Sequence, residues 1–191
     1  MRIIVGITGA SGAVYGVELL RALASLGHEV HCTVSAYGWK VLRHECSLAE
    51  KDIRPLVAAL YPAEDITAPI ASGSFRADGM AIAPCSMKTL AAIANGFADN
   101  LLCRAADVVL KERANLVLAV RETPLSPIHL ENMLKLSRIG VGIAPACPAF
   151  YHHPASIDAL VAAYVGRLLD CLGVANDLAP RWAGDAGAKG L

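Results

Sequence analysis

Short apolar runs alternate with amphipathic stripes along this chain. Ile3 to Ile7, Val30 to Val34, Met80 to Ala83, Leu116 to Val120 and Val141 to Ala144 have the length of buried strands. Val14, Val17, Leu20 and Leu23 follow the first run at helical spacing. Ile157, Leu160, Val161, Tyr164, Val165, Leu168, Leu169 and Leu172 form a sustained i, i+3, i+4, i+7 stripe near the end. Strand and helix in alternation predict an α/β fold, Rossmann-like (flavodoxin-like), with a mostly parallel sheet and helices on both faces. The pattern reads as one domain over 1–175. Periodicity is lost after Val174, so 176–191 reads as a C-terminal tail that either caps a site or is mobile, and the stretch from Ala183 is expected to be mobile.

Parallel sheets of this kind bind ligands beyond the carboxyl ends of their strands. The residues that follow the predicted strands therefore carry most of the functional information. GITGASGAVYG, Gly6 to Gly16, joins the first strand to the first helix. Such a turn gathers backbone N–H groups at a positive helix end and suits a phosphate. Its glycines at 9, 12 and 16 match neither the dinucleotide fingerprint nor a Walker loop, and a tight turn needing glycine only for geometry is the alternative. Ser35 ends the second strand where a nicotinamide dinucleotide site would carry Asp or Glu. It suits a mononucleotide, or simply caps the next helix. Pro84 to Thr89 is a second polar turn entering a helix; Ser86 and Thr89 can donate to a ligand, and Ser86 can also cap.

Charge at three places bears on chemistry. Arg121 and Glu122 directly follow the apolar LVLAV, where a charge needs a partner or a task; phosphate binding with proton transfer stands against a local ion pair. Lys111-Glu112-Arg113 closes a helix beginning near Asn100, where basic residues are commonly dipole partners. Arg167 lies on the outer face of the last helix, a solvated position by default. Tyr151 offers a phenol to a phosphate or is a half-buried core residue, and Trp182 is a docking anchor or a lid.

Composition narrows the partners. A formal charge of zero gives no reason to expect nucleic acid or an anionic membrane. A hydrophobic share of 55% exceeds what a small soluble surface needs, and a large subunit interface would absorb it. The uncharged stretches are interrupted by Gly and Pro and are too short for a bilayer, and no signal-peptide pattern opens the chain, so the cytoplasm is the expected location. The six cysteines form no CxxC pair or zinc spacing, and no metal site is expected. Cys85 reads as a buried thiol rather than a nucleophile.

Taken together, GITGASGAVYG, PCSMKTL, RAADVVLKER (Arg104 to Arg113), VRETPLSPIHLENM (Val120 to Met133) and PAFYHHP (Pro148 to Pro154) resemble the UbiX/Pad-type flavin prenyltransferases. The resemblance runs from the first strand to about Leu172 and includes the late Pro180-Arg181-Trp182. It implies transfer of a dimethylallyl group from dimethylallyl phosphate to N5 and then C6 of reduced FMN. The prenylated FMN would serve a UbiD-type decarboxylase, and the assembly would be a homododecamer. By motif position, Gly9, Ala10, Ser11, Ser35, Ser86, Met87, Lys88, Thr89 and Arg121 would hold FMN. Lys111, Tyr151 and Arg167 would bind the donor phosphate, and Trp182 would close the prenyl pocket. Glu45 and Glu122 would be the acid/base carboxylates, with Ser11 near N5. Lys88 stands where some relatives carry a small residue; it adds charge near FMN or points to solvent. No DDxxD pair occurs, which fits a monophosphate donor and no metal.

Three rivals frame that expectation. A flavin-dependent cysteine decarboxylase needs a PASANT-like block, where this chain has PCSMKT. A flavin carrier would not need two carboxylates and three phosphate-binding side chains. A flavin reductase would need a nicotinamide site that the sequence does not offer.

Overall fold

Register in the central sheet places β1 (Arg2–Ile7) between β2 (Glu29–Val34) and β4 (Gly79–Cys85), with Ile3 opposite both Val30 and Gly79. The computed structural model describes residues 1–182; the stretch from Ala183 expected to be mobile lies outside them. In chain order the remaining elements are α1 (Ala13–Ser25), α2 (Ala36–Cys46), α3 (Glu50–Ile53), β3 (Ala59–Pro62), α4 (Met87–Ala94), α5 (Leu101–Lys111), β5 (Asn115–Val120), α6 (Pro127–Ser137), β6 (Gly142–Ile143) and α7 (Ile157–Leu172). The six strands are all parallel in the order β3-β2-β1-β4-β5-β6.

The strands alternate because both faces of the sheet are covered. Ile3, Val5 and Ile7, with Ala81, Ala83, Val117 and Ala119, face a core built with α1 and α7. Ile4, Met80, Ile82, Leu116, Leu118 and Val120 face a second core built with α4 and α5. Two faces buried at once explain why these strands read as continuous apolar runs. Gly16 serves this packing rather than a ligand: a Cβ there would collide with the carbonyl oxygen of Ala83, so α1 can lie close on β4 only with glycine at that position.

Two expectations need correction. The sheet has an edge strand, β3, that hydrophobic periodicity does not reveal. Its residues are only half-buried and it ends in Pro62, which a sheet edge tolerates. The run Val141 to Ala144 forms only the two-residue β6 at the other edge.

Candidate functional site

The strand order reverses between β1 and β4, and chain direction there opens a crevice at their carboxyl ends. Thr8, almost fully buried, stitches the two turns at this point. Its hydroxyl donates to Pro84 O at 2.7 Å and accepts from Ser86 N at 2.9 Å. The crevice is a cavity of about 460 Å³ lined by Thr8, Gly9, Ser35, Ser86, Lys88 and Thr89, together with Tyr37, Asn100 and Leu102. Ser35 and Ser86 both cap their helices, accepting from Gly38 N at 3.0 Å and Thr89 N at 3.4 Å. Among the described residues the N–H groups of Met87 and Lys88 in the first turn of α4 have no protein acceptor. Lys88 Nζ adds positive charge at the rim while paired with Asp99 at 3.0 Å. Cys85 lies beneath, fully buried, and burial pushes its thiol up, away from a nucleophile's thiolate.

The glycine-rich turn after β1 behaves differently from its sequence expectation as a phosphate site. The Glu45 carboxylate, arriving from α2, accepts from Gly12 N at 2.8 Å and Ala13 N at 2.9 Å. The helix end is thus filled by a side chain of the same protein. Burial acts to raise the Glu45 carboxyl. Hydrogen bonds from Ser11, Gly12 and Ala13, with the charge of Arg121, outweigh it and hold the group below the usual glutamate value. Unlike this end of α1, the first turn of α4 keeps N–H donors open toward the crevice.

Arg121, at the end of β5, reaches over to this turn and donates from Nε to Ser11 O at 3.1 Å. Glu122 is exposed and accepts from Thr123 N at 3.0 Å; it makes no ion pair with Arg121. Ala10 is buried and Met87 packs on the core below α4, so both shape the turns rather than line the cavity.

A second cavity, about 500 Å³, lies between the loop after β6, the outer side of α7 and the returning segment that ends at Trp182. It brings together Tyr151, Arg167 and Trp182. The Tyr151 and Trp182 rings meet edge-on with centroids 5.5 Å apart. Asp170 accepts from Arg167 at 2.6 Å and from both Nη atoms of Arg181 at 2.6 and 2.8 Å. His152 also lines this cavity, with both ring nitrogens shielded and without a partner among the described residues. Asp170, Arg181 and His152 escape sequence reasoning. His152 and Arg181 enter the sequence reading only within the PAFYHHP and Pro180–Trp182 blocks, with no role of their own, and the contacts of Asp170 join segments that periodicity treats separately.

Lys111 joins neither cavity. It ends α5, whose N-cap Asn100 stands at the crevice, and an 11-residue helix carries it about 16 Å away toward the amino ends of the strands. There it pairs with Glu112, beside Gly73. Nor do the two cavities share a lining residue. One chain thus holds three parts of the expected site in three places.

Comparison with known proteins gives a consistent picture. The family model described as Flavoprotein matches residues 1–169. The flavin prenyltransferase LpdB of Lactiplantibacillus plantarum is 51% identical over 185 residues, 96% of this chain and 99% of that protein. The crystal structure of AnUbiX (PadA1) in complex with FMN and dimethylallyl pyrophosphate superposes with a TM-score of 0.94 at 48% identity, over 96% of this chain and 97% of that one. A dodecameric FMN-dependent Ubix-like decarboxylase from Escherichia coli O157:H7 superposes with the same TM-score at 50% identity, over 96% of this chain and all of that one.

Proposed function

This chain belongs to the UbiX-type flavin prenyltransferases, and we propose that its two cavities, brought together from different copies, form one site for FMN and an allylic phosphate. The activity is transfer of a dimethylallyl group from dimethylallyl phosphate to reduced FMN. The allylic C–O bond breaks, phosphate leaves, and bonds form to flavin N5 and then C6 with loss of a ring proton.

The FMN assignment rests on the β1–β4 crevice. Its volume lies in the range of cofactor pockets. The free N–H groups of Met87 and Lys88, the hydroxyls of Ser35, Ser86 and Thr89 and the Lys88 ammonium suit the FMN phosphate at the N-terminus of α4. Gly9, Ser11 and Arg121 would flank the ring system, with Glu45 fixing the Ser11 turn. On the donor side, Arg167 and Tyr151 would meet the leaving phosphate, and the face of Trp182 would shield the allyl group as it gains positive charge.

The observation that carries the shared-site reading is the placement of Lys111, at the opposite end of the sheet from the crevice. A third cation for the phosphate must then come from another copy. The dodecameric state of the Escherichia coli relative supports assembly of that kind. So do the exposed apolar residues of α6, with Ile128 68% and Leu134 51% exposed in the single chain. At such a junction Glu122 would stand where it can pass a proton to the departing phosphate. The product would be handed to a UbiD-type decarboxylase, and the cations would do the work that Mg²⁺ does for diphosphate donors.

The test is an anaerobic incubation of the protein with reduced FMN and dimethylallyl phosphate, followed by mass analysis of the extracted flavin. A flavin heavier by one five-carbon unit is expected. Unmodified FMN from protein shown to bind both ligands would refute the assignment.

A further inference from the structure

Asp170 accepts four hydrogen bonds from three side chains, two of them guanidiniums. Arg167, three residues earlier on α7, donates at 2.6 Å. Arg181 donates through both Nη atoms at 2.6 and 2.8 Å, a fork matched to the carboxylate. Asn176 donates at 3.0 Å. The carboxylate is only 18% exposed, against 67% for Arg167 and 59% for Arg181. Pairing with Arg181, opposed by burial and aided by Arg167, holds its carboxyl below the usual aspartate value, so it is charged near neutrality.

The same carboxylate is the anchor of the segment that returns along α7. Asn176 also donates to Gly166 O at 3.2 Å, and Arg181 donates to Asn176 O at 2.9 Å. Glycine inside a helix weakens it relative to alanine. Gly166 is accounted for by this approach, because a Cβ there would stand 3.0 Å from Asn176 Oδ1. The residue after Arg181 is Trp182, edge-on to Tyr151. One buried charge thus sets both a cation and an aromatic wall of the second cavity.

We propose that Asp170 is a positioning residue of the prenyl-donor site, orienting the Arg167 guanidinium toward the donor phosphate and pinning Arg181 so that Trp182 walls the pocket. This rests on the reading of that cavity as the donor site. Arg167 gives Asp170 a single N–H, and among the described residues its other donors make no hydrogen bond, leaving them for phosphate oxygens. Without the carboxylate two guanidiniums would face each other uncompensated, and the strap bearing Trp182 would lose its fork.

The experiment compares wild type, Asp170→Asn, Arg181→Gln and the double variant, each in a Trp39→Phe background so that Trp182 is the sole indole. Three quantities are measured: KM for dimethylallyl phosphate, FMN affinity, and the steady-state fluorescence anisotropy of Trp182 without ligands. Each single variant is expected to raise the donor KM by about tenfold and to lower the anisotropy, with FMN affinity unchanged, since the FMN crevice shares none of these residues. The double variant is expected to be little worse than either single one, because both break the same link. An unchanged donor KM, additive losses, or FMN affinity falling in parallel would overturn the proposal. Failure of the wild type to prenylate FMN would refute the donor-site reading instead, and the anisotropy would still show whether Asp170 holds the strap.

Discussion

The Glu45 carboxylate caps α1 through the backbone N–H groups of Gly12 and Ala13, at 2.8 and 2.9 Å. A turn that looks built for phosphate thus has its α1 donors taken from within, and in the proposed site the FMN phosphate falls to α4. The carboxyl is held below its ordinary value, so its stabilising effect is present above the unfolded glutamate pKa and is lost as pH falls through the lower folded value. Glu45→Gln is expected to destabilise the protein by about 1 kcal/mol or less at pH 7, since the group is exposed to solvent. The difference from wild type should vanish in acid. Denaturant titration at several pH values checks this; a deficit that persists below the carboxylate range would contradict the capping role.

Glu122 stands exposed at the end of β5 in the single chain and has no cationic partner among the described residues. Glu122→Gln is expected to leave FMN affinity intact and to slow prenyl transfer by about two to four orders of magnitude, the usual worth of a positioned acid. Single-turnover rates with saturating ligands measure it. Wild-type turnover in the variant would remove Glu122 from proton transfer.

Thr8 couples the turns after β1 and β4 through one buried hydroxyl. Thr8→Val keeps the volume but leaves Pro84 O and Ser86 N with poorer partners, at a cost of about 1–3 kcal/mol. Stability and FMN affinity should fall together, because the first turn of α4 is positioned through Ser86. Calorimetric unfolding and FMN titration would expose the error if both stayed at wild-type values.

Turnover with dimethylallyl monophosphate should survive excess chelator after desalting. Among the described residues no cluster of carboxylates, thiols and imidazoles converges to hold a cation, and the proposed phosphate partners are themselves cationic. Loss on chelation with recovery on adding Mg²⁺ would overturn this and point to a diphosphate as donor.

Much of this architecture is legible in the sequence because the sheet is buried on both faces and its strands advertise themselves. β3 is not, since an edge strand with half-buried residues and a terminal proline carries no apolar run. Ser35, Ser86, Lys88 and Thr89 are readable because they follow strands and so must stand at the crevice. The role of Glu45 is not, because its partners lie 32 and 33 residues away and only the folded chain brings them together. Asp170, Asn176 and Arg181 are close in sequence yet hidden as well, because nothing in the aperiodic segment after α7 says that it folds back along that helix. Lys111 could have been placed correctly from the pattern alone: it precedes a strand instead of following one, and so belongs to the other end of the sheet.

That placement of Lys111 gives the most direct test of a site shared between copies. Lys111→Ala and Arg167→Ala should each reduce prenyl transfer about a hundredfold by removing one cation from the leaving phosphate. Co-expressed in equal amounts, the two variant chains should assemble into mixed oligomers. A site that takes Arg167 from one chain and Lys111 from another then has both residues intact in about one quarter of cases. The measurement is the prenylation rate of the purified mixture. Recovery to about a quarter of the wild-type rate is the predicted result; a mixture no more active than its two parents would contradict a site completed between copies.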